Sequence, residues 1–335
     1  MTSSKAPLGV LLTGGMGTRL RPLTPTLPKS LVPLLNKPLV SYGLDLPAQM
    51  GLSELVVVVG GADPLTAQCA LDNAPAGSTV TIAEQPTPKG SGDAVISVGD
   101  ALDGRDVVVL AVDTVLRGAD ADLRAQLATW QASDCVAWLP LAVTDRPKEM
   151  GIAVVEHERV IALEEKPANP RSNLACVAVW MLRPLVIERL RTNPIINPKG
   201  ESDLTATIAA LLDEGASVGG AAFDGQWLDG GSLVGLLAAQ TALLAELPAV
   251  AYSNGANSEG DDKNIVRSQL QGSVLLGANV QLTDCVLGPD VVVGEHAHLT
   301  GVRLQRALVA PGATVEGGEY HDVVITPSGE IASTV

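Results

Sequence analysis

Aromatic side chains are scarce in this chain of 335 residues: four tryptophans, three tyrosines and one phenylalanine. A surface that stacks unpaired bases needs such rings beside basic patches, and the formal net charge here is −15. Nucleic acid is therefore not an expected partner. Long apolar runs are also missing. Mean hydropathy is +0.27, yet no stretch approaches the roughly 18 apolar residues of a membrane span, and the first residues lack the apolar core of a secretory signal. The expectation is a soluble, cytoplasmic protein with no membrane partner. Cysteine is sparse and unpaired in pattern: Cys69, Cys135, Cys176 and Cys285 lie far apart with no C-x-x-C. That distribution predicts buried free thiols rather than disulfides or a thiolate metal site. Finally, acid is absent from one end. Residues 1–44 hold Lys5, Arg19, Arg21, Lys29 and Lys37 but no Asp or Glu, so the rest of the chain carries 17 basic against 37 acidic side chains. A basic island on an acidic protein predicts an anion site.

What is present is an alternation. Short apolar runs rich in β-branched residues (Leu8–Thr13, Leu55–Val59, Val80–Ala83, Val107–Val112, Cys135–Leu141) are separated by helical stretches such as Leu123–Gln131 and Leu204–Glu214. Continuous runs like the four valines at 56–59 fit strands buried on both faces. The alternation predicts an α/β fold, a Rossmann-like, doubly wound and mostly parallel sheet. Ligands of such sheets bind beyond the carboxyl ends of the strands, which directs attention to the loops after Thr13 and Val112. Ser232 is placed to cap a helix over Leu233–Leu247 that Pro248 ends. The polar, Gly/Asn/Ser-rich stretch that follows reads as a linker. Three parts are expected: 1–250, a linker 251–263, and 264–335.

Beyond residue 264 the pattern Gly-x-x-(Val/Ala) recurs at Gly277, Gly288, Gly294 and Gly312. Steps of 6 and 18 residues, from 288 to 294 and from 294 to 312, predict a short hexapeptide-repeat β-helix of 18 residues per coil, a little over three coils long. The step of 11 from 277 to 288 makes the repeat imperfect.

The segment richest in chemistry is LLTGGMGTRLRPLTPTLPKSLVPLLNKPL, residues 11–39. A strand leads into Gly14, Gly15 and Gly17, and two arginines and a lysine follow. Glycines let backbone N–H groups approach phosphate oxygens, while Arg19 and Lys29 supply countercharge. Neither common nucleotide fingerprint is met, because the loop contains no G-x-x-x-x-G-K-[ST] and breaks G-x-G-x-x-G at Leu20.

This string resembles the signature of the sugar-1-phosphate nucleotidylyltransferases, including glucose-1-phosphate thymidylyltransferases of the long type and mannose-1-phosphate guanylyltransferases. The resemblance covers about residues 8–247. Gln85-Pro-Thr-Pro-Lys-Gly-Ser-Gly-Asp-Ala94, Val112-Asp113, Leu163-Glu-Glu-Lys-Pro167, Gly200-Glu-Ser-Asp-Leu-Thr205 and Trp227-Leu-Asp-Gly-Gly231 have counterparts there in the same order. It implies a nucleotide-diphospho-sugar transferase fold with a left-handed C-terminal β-helix. It also implies a reaction between a nucleoside triphosphate and a sugar 1-phosphate that gives an NDP-sugar and pyrophosphate. By the same resemblance, Leu12, Gly14, Gly15, Gly17, Thr18, Gln85 and Gly90 would bind nucleotide, with Gln85 and the Gly90 backbone reading the base edge. Gly151, Glu165 and Lys166 would hold the sugar phosphate. Asp113 and Asp229 would carry Mg²⁺, and Arg19, Lys29 and Asp113 would be catalytic. Since a phosphate nucleophile is already ionised, the reaction is in-line attack at the α-phosphorus, driven by positioning and neutralisation.

The chain departs from the family pattern around the metal aspartate, where Val112 and Thr114 replace the usual Gly and Asn, and in Ser91-Gly92-Asp93. A pyrimidine triphosphate, dTTP or UTP, is favoured. A guanylyltransferase acting on a mannose- or cyclitol-type 1-phosphate is the alternative. Two readings from other classes compete: a catalytically silent scaffold subunit, which should have lost its charged groups, and an acetyltransferase in the β-helix using His296, His298 or His321, for which no acyl-CoA loop is evident. Assembly is the expected role of the β-helix, making the protein a homo-oligomer.

Overall fold

The computed structural model describes residues 5–61, 63–252 and 264–334. They divide into two compact units, Met1–Gly15 with Val40–Trp227, and Met16–Leu39 with Leu228–Val335.

The first unit is a Rossmann-like α/β sheet. Its ten strands lie in the order Leu174–Cys176, Gly151–Glu156, Arg159–Glu165, Val218–Ala222, Ala137–Val143, Val179–Leu182, Val107–Ala111, Leu8–Leu12, Glu54–Gly60, Thr79–Gln85. Every strand expected from an apolar run is present. Leu174–Cys176, Arg159–Glu165 and Val179–Leu182 run against the others, so the sheet is mixed, with an antiparallel strand near its middle. Alternate side chains serve opposite faces. Leu8, Val10, Val56, Val58, Val107 and Val109 pack with Val95, Val186, Ile187, Leu190, Leu204 and Ile208 from helices on one face. On the other face Leu11 meets Gly43 of the helix Leu39–Gln49 so closely that a methyl group there would lie 2.6 Å from Leu11 Cδ1.

The second unit is built on parallel ladders of short strands. Leu270, Leu287, Leu304 and Tyr320 stand in register, as do Val274, Val291, Ala307 and Val323. A third ladder holds Ile265, Leu282, Leu299 and Val315. Each coil therefore advances 16 or 17 residues rather than 18; two ladders have four strand levels, and the one through Val274 has a fifth in Val250–Tyr252. The cause is the choice of glycines. Backbones stack at Gly277, Gly294 and Pro311, where a methyl added to either glycine would fall 2.4 Å from the next level, while Gly288 and Gly312 occupy other corners. Inward Val, Leu and Ala side chains fill the coil, and Ile331–Ser333 folds back antiparallel on the last strand, covering an otherwise open edge.

Ser232 accepts a hydrogen bond from Gly235 N and starts the helix Leu233–Leu244, as the sequence implied. Gln240 of this helix is fully buried and donates through Nε2 to Asp290 O (3.1 Å) and Ala307 O (2.9 Å) of the coil. Of the expected linker, Ala251 and Tyr252 belong to the strand Val250–Tyr252, which pairs with Val274–Leu276; residues 253–263 lie outside the described residues.

The four cysteines are free thiols. Cys135 and Cys285 are buried as expected, whereas Cys69 and Cys176 are only half-buried. Among the described residues no helix is long and apolar enough to cross a membrane.

Candidate active site

In the first unit Asp113, Leu12 and Gln85 stand at or just beyond the ends of Val107–Ala111, Leu8–Leu12 and Thr79–Gln85, with Glu54–Gly60 between the last two strands. Leu12 ends its strand, and its carbonyl accepts from Val112 N at 3.1 Å. Thr13 is anchored twice to Val58 O, by its backbone N (3.0 Å) and by Oγ1 (2.8 Å). Gly14 then passes the end of the next strand so closely that a methyl on it would lie 3.3 Å from Gly60 Cα and 3.2 Å from Gln85 Oε1. Gly15 is exposed beyond it. Asp113 is half-buried between two fixed neighbours: Val112 is 2 % exposed, and Thr114 Oγ1 donates to Val177 O at 2.8 Å. The two departures from the family pattern thus pin the aspartate at the end of its strand.

Gln85 ends the edge strand and is 3 % exposed. Its Nε2 donates to Asp93 Oδ2 (2.7 Å) and Gly90 O (3.2 Å). The amide expected both to donate and to accept at a base edge has therefore spent its donors inside the protein. Gly90 has φ +98, and a methyl there would fall 2.3 Å from Ser202 O, so only glycine fits. Ser202 N donates to Lys89 O (2.7 Å), Gly92 N to Ser202 O (3.0 Å) and Leu204 N to Ser91 Oγ (3.1 Å). These bonds lock the Gln85–Ala94 segment to the Gly200–Thr205 segment.

A cavity of about 570 Å³ opens beside this lock. It is lined by Gly151 and Glu165, both expected at the sugar phosphate, and by Cys176, Trp180, Asn197 and Thr205 among others. Gly151 and Glu165 are register partners in adjacent antiparallel strands, and a methyl on Gly151 would lie 3.0 Å from Glu165 Oε2. Glu164 is instead ion-paired with Arg171. Lys166 is exposed at φ +45, its backbone N bonded to Met150 O (3.0 Å) next to Gly151. Burial pushes the Cys176 thiol up to about 12, and the Glu165 carboxylate adds to the shift.

The remaining candidates belong to the second unit. Gly17 adopts φ +58, and Thr24 Oγ1 donates to its carbonyl at 2.7 Å. The loop folds back so far that a methyl on Gly17 would lie 3.2 Å from Lys29 Cβ. Thr18 and Arg19 project exposed from a single 3-10 turn, Thr18–Leu20. The loop ends in a hairpin whose tip, Leu35-Asn36, has both residues at positive φ. Asn36 Nδ2 donates to Val293 O of the coil at 3.0 Å. Asp229 is half-buried, with Oδ1 accepting from Gly231 N at 2.8 Å.

Residues 8–246 match the protein family described as Nucleotidyl transferase. The chain belongs to this family. A glucose-1-phosphate thymidylyltransferase of Streptomyces antibioticus is 29% identical over 319 residues, covering 92% of this chain and 88% of that protein. A probable mannose-1-phosphate guanylyltransferase 2 of Arabidopsis thaliana is 25% identical and covers 92% of this chain and 82% of its own length. Among solved structures, a UDP-glucose pyrophosphorylase from Acinetobacter baumanii superposes with a TM-score of 0.63 at 23% identity, covering 73% of this chain and 95% of that one. That last likeness establishes the shared fold.

For a nucleotidyl transferase, the donor set suits a hard divalent ion. Among the described residues no three His, Cys, Asp or Glu side chains cluster, which leaves oxygen donors such as Asp113 and the second carboxylate oxygen of Asp229. Mg²⁺ uses one or two carboxylates, keeps several waters and takes its other ligands from phosphates, so Asp113 in the first unit and Asp229 in the second are each a donor of the right type. The three histidines of the coil offer nothing comparable. His296 turns a corner at φ +58, His298 begins a strand, and His321 sits 3.4 Å from Glu319; all three are exposed.

Sequence reasoning assigned no role to Asp93, Cys176, Trp180 or Asn197. The signal for Asp93 was its place one turn from Gly90. For the cavity walls the signal was the Gly200–Thr205 segment, which has a family counterpart and contributes Asp203 and Thr205 to the lining.

Proposed function

We propose that this protein is a sugar-1-phosphate nucleotidylyltransferase that joins a sugar 1-phosphate to dTTP or UTP, releasing pyrophosphate. The observation that carries this reading is the arrangement in the first unit, where a strand crest bearing Gly14, Gln85 and Asp113 accompanies a cavity lined by Gly151 and Glu165. Gly14, Gly15, Gly17 and Thr18 offer backbone groups to the triphosphate, with Leu12, Gln85 and Gly90 around the base. Glu165 accepts from sugar hydroxyls, and Gly151 leaves the ring room. Lys166 neutralises the attacking phosphate, whose oxygen displaces pyrophosphate from the α-phosphorus. Arg19 offsets charge on the leaving pyrophosphate, and Lys29 lies at the α-phosphate. Asp113 and Asp229 would hold Mg²⁺, which supplies charge neutralisation for the phosphates. No general base is required.

The pyrimidine preference rests on Gln85 and on the named thymidylyltransferase relative, which spans most of the chain. The named guanylyltransferase relative supports a second reading, GTP with a mannose- or cyclitol-type 1-phosphate. Residues 1–250 form the catalytic part of this reading, 251–263 a linker, and 264–335 a left-handed, hexapeptide-type β-helix, on the strength of its three parallel ladders and glycine–valine repeat. We read the β-helix as an assembly element of a homo-oligomer. The location is cytoplasmic, where nucleoside triphosphates are available. Five nucleoside triphosphates paired with hexose, aminosugar and cyclitol 1-phosphates, scored by pyrophosphate release, test the reaction. Turnover of one pair supports it, whereas release from none favours the silent scaffold. Light scattering of the intact protein tests the oligomer, and a monomer mass would refute it.

A further inference from the structure

Gln85 presents a constrained amide. Its Nε2 faces Asp93 Oδ2 and Gly90 O, a carboxylate oxygen and a carbonyl oxygen, both of which accept. The NH₂ group must therefore face them, and Oε1 must face the other way, whatever the usual ambiguity between amide nitrogen and oxygen. Oε1 lies beside Gly14 at the strand crest. Among the described residues nothing donates to it. A side chain only 3 % exposed thus holds an open acceptor at the glycine that begins the phosphate-binding loop. A ligand that supplies an N–H there replaces water as the donor to this oxygen, whereas a ligand that presents a second acceptor leaves it without one.

We propose that Asp93 determines base specificity by fixing Gln85 with its oxygen outward. The site then takes a base whose ring nitrogen carries a hydrogen, as N3 of uracil or thymine does. It rejects one that presents a bare ring nitrogen, as cytosine does, because two acceptors would face each other. Asp93 does not touch the base in this scheme; it acts through Gln85 and is a positioning residue. The inference rests on the nucleotide reading above and narrows it. Selectivity arises from the one side chain that can hold the amide in a single orientation. The Asp93→Asn substitution keeps the size but offers both a carbonyl and an NH₂, so the longer Gly90 O contact of 3.2 Å is left as the remaining bias and Gln85 turns over in part, presenting its own NH₂ to the base. Asp93→Glu keeps an acceptor.

The test measures equilibrium binding of UTP, dTTP and CTP, with GTP and ATP as a purine pair of the same contrast, to the intact protein and to both variants. Pyrophosphate release with one sugar 1-phosphate is measured in parallel. Wild type is expected to bind UTP or dTTP about 100-fold more tightly than CTP. Asp93→Asn should narrow that ratio by about tenfold, through weaker UTP and tighter CTP binding, and leave KM for the sugar 1-phosphate unchanged. Asp93→Glu should restore the ratio. A merely structural role would weaken all triphosphates alike and keep the ratio. An unchanged ratio in Asp93→Asn, or equal binding of UTP and CTP by wild type, overturns the inference. Selective binding that Asp93→Asn relaxes, without pyrophosphate release from any pair, supports the amide assignment and refutes the proposed reaction instead.

Discussion

The two units hold their candidate residues by different means. In the first, Leu12, Gln85 and Asp113 stand at or next to the ends of sheet strands, each fixed by a ladder of backbone bonds and by anchors such as Thr114 Oγ1 to Val177 O. In the second, Arg19 and Lys29 sit on a loop of single turns. The loop's tie to the rest of its unit includes a side-chain bond from Asn36 to Val293, and the helix after Asp229 is moored by Gln240. Sheet-borne positions should tolerate loss of one side chain without moving. Loop-borne positions should depend on bonds made far away in the chain. That contrast makes the C-terminal coil a support for the loop that carries the basic residues, through the Asn36–Val293 bond.

The largest effect expected is at the crest. Asp113→Ala should lower pyrophosphate release on the order of 1,000-fold, while the thermal midpoint shifts little, because Val112 and Thr114 keep their partners. A large drop in the midpoint with the loss of activity would show the crest to be no more rigid than the loop. Next comes Gln240→Leu, which removes the buried donor to Ala307 O while Asp290 O keeps its bond from Ala307 N, at a cost of about 1–3 kcal/mol. Hydrogen exchange should rise across Leu233–Leu244 and the coil strands and stay unchanged in the sheet strand Val107–Ala111. Uniform acceleration in both units would erase the comparison. Asn36→Gly is a finer probe, since glycine keeps the positive φ of the hairpin tip while removing the amide. Exchange in residues 16–39 should increase and kcat fall about five- to tenfold, with KM for the sugar 1-phosphate unaffected. An unaltered kcat would mean that the coil does not support the loop.

The same contrast explains what could be read from the sequence. Crest residues were legible because buried parallel strands announce themselves as unbroken apolar runs, and such runs end where ligands bind. The direction of the Gln85 amide was not legible, since it depends on which of its two ends meets Asp93. The coil's period was not legible because Gly-x-x-Val marks more than one kind of corner: Gly277, Gly294 and Pro311 stack in one column, whereas Gly288 stacks on Gln271 in another. The attachment of the loop to the coil was hidden by distance along the chain, as Asn36 and Val293 are 257 residues apart.

The smallest expected effect lies in the cavity of the first unit and concerns Cys176. Its thiol, pushed up to about 12 by burial and secondarily by Glu165, keeps its proton through the neutral range. Because the thiolate is the reactive form, iodoacetamide should label Cys176 at pH 8 about 1,000-fold more slowly than an ordinary thiol. The stability consequence has a definite sign. Below the ordinary thiol value both folded and unfolded chains hold the proton, so nothing changes. Above about pH 9 the unfolded thiol ionises while the folded one does not, so stability falls as pH rises. Glu165→Gln removes the lesser of the two causes and should speed labelling only a few-fold. If this cavity receives the sugar phosphate, saturating substrate should slow labelling in wild type and do so less in Glu165→Gln. Mass spectrometry of the alkylated peptide reads all three results. Labelling of Cys176 as fast as that of a small-molecule thiol at pH 8 would show that bulk water reaches the thiol and that burial does not hold its proton.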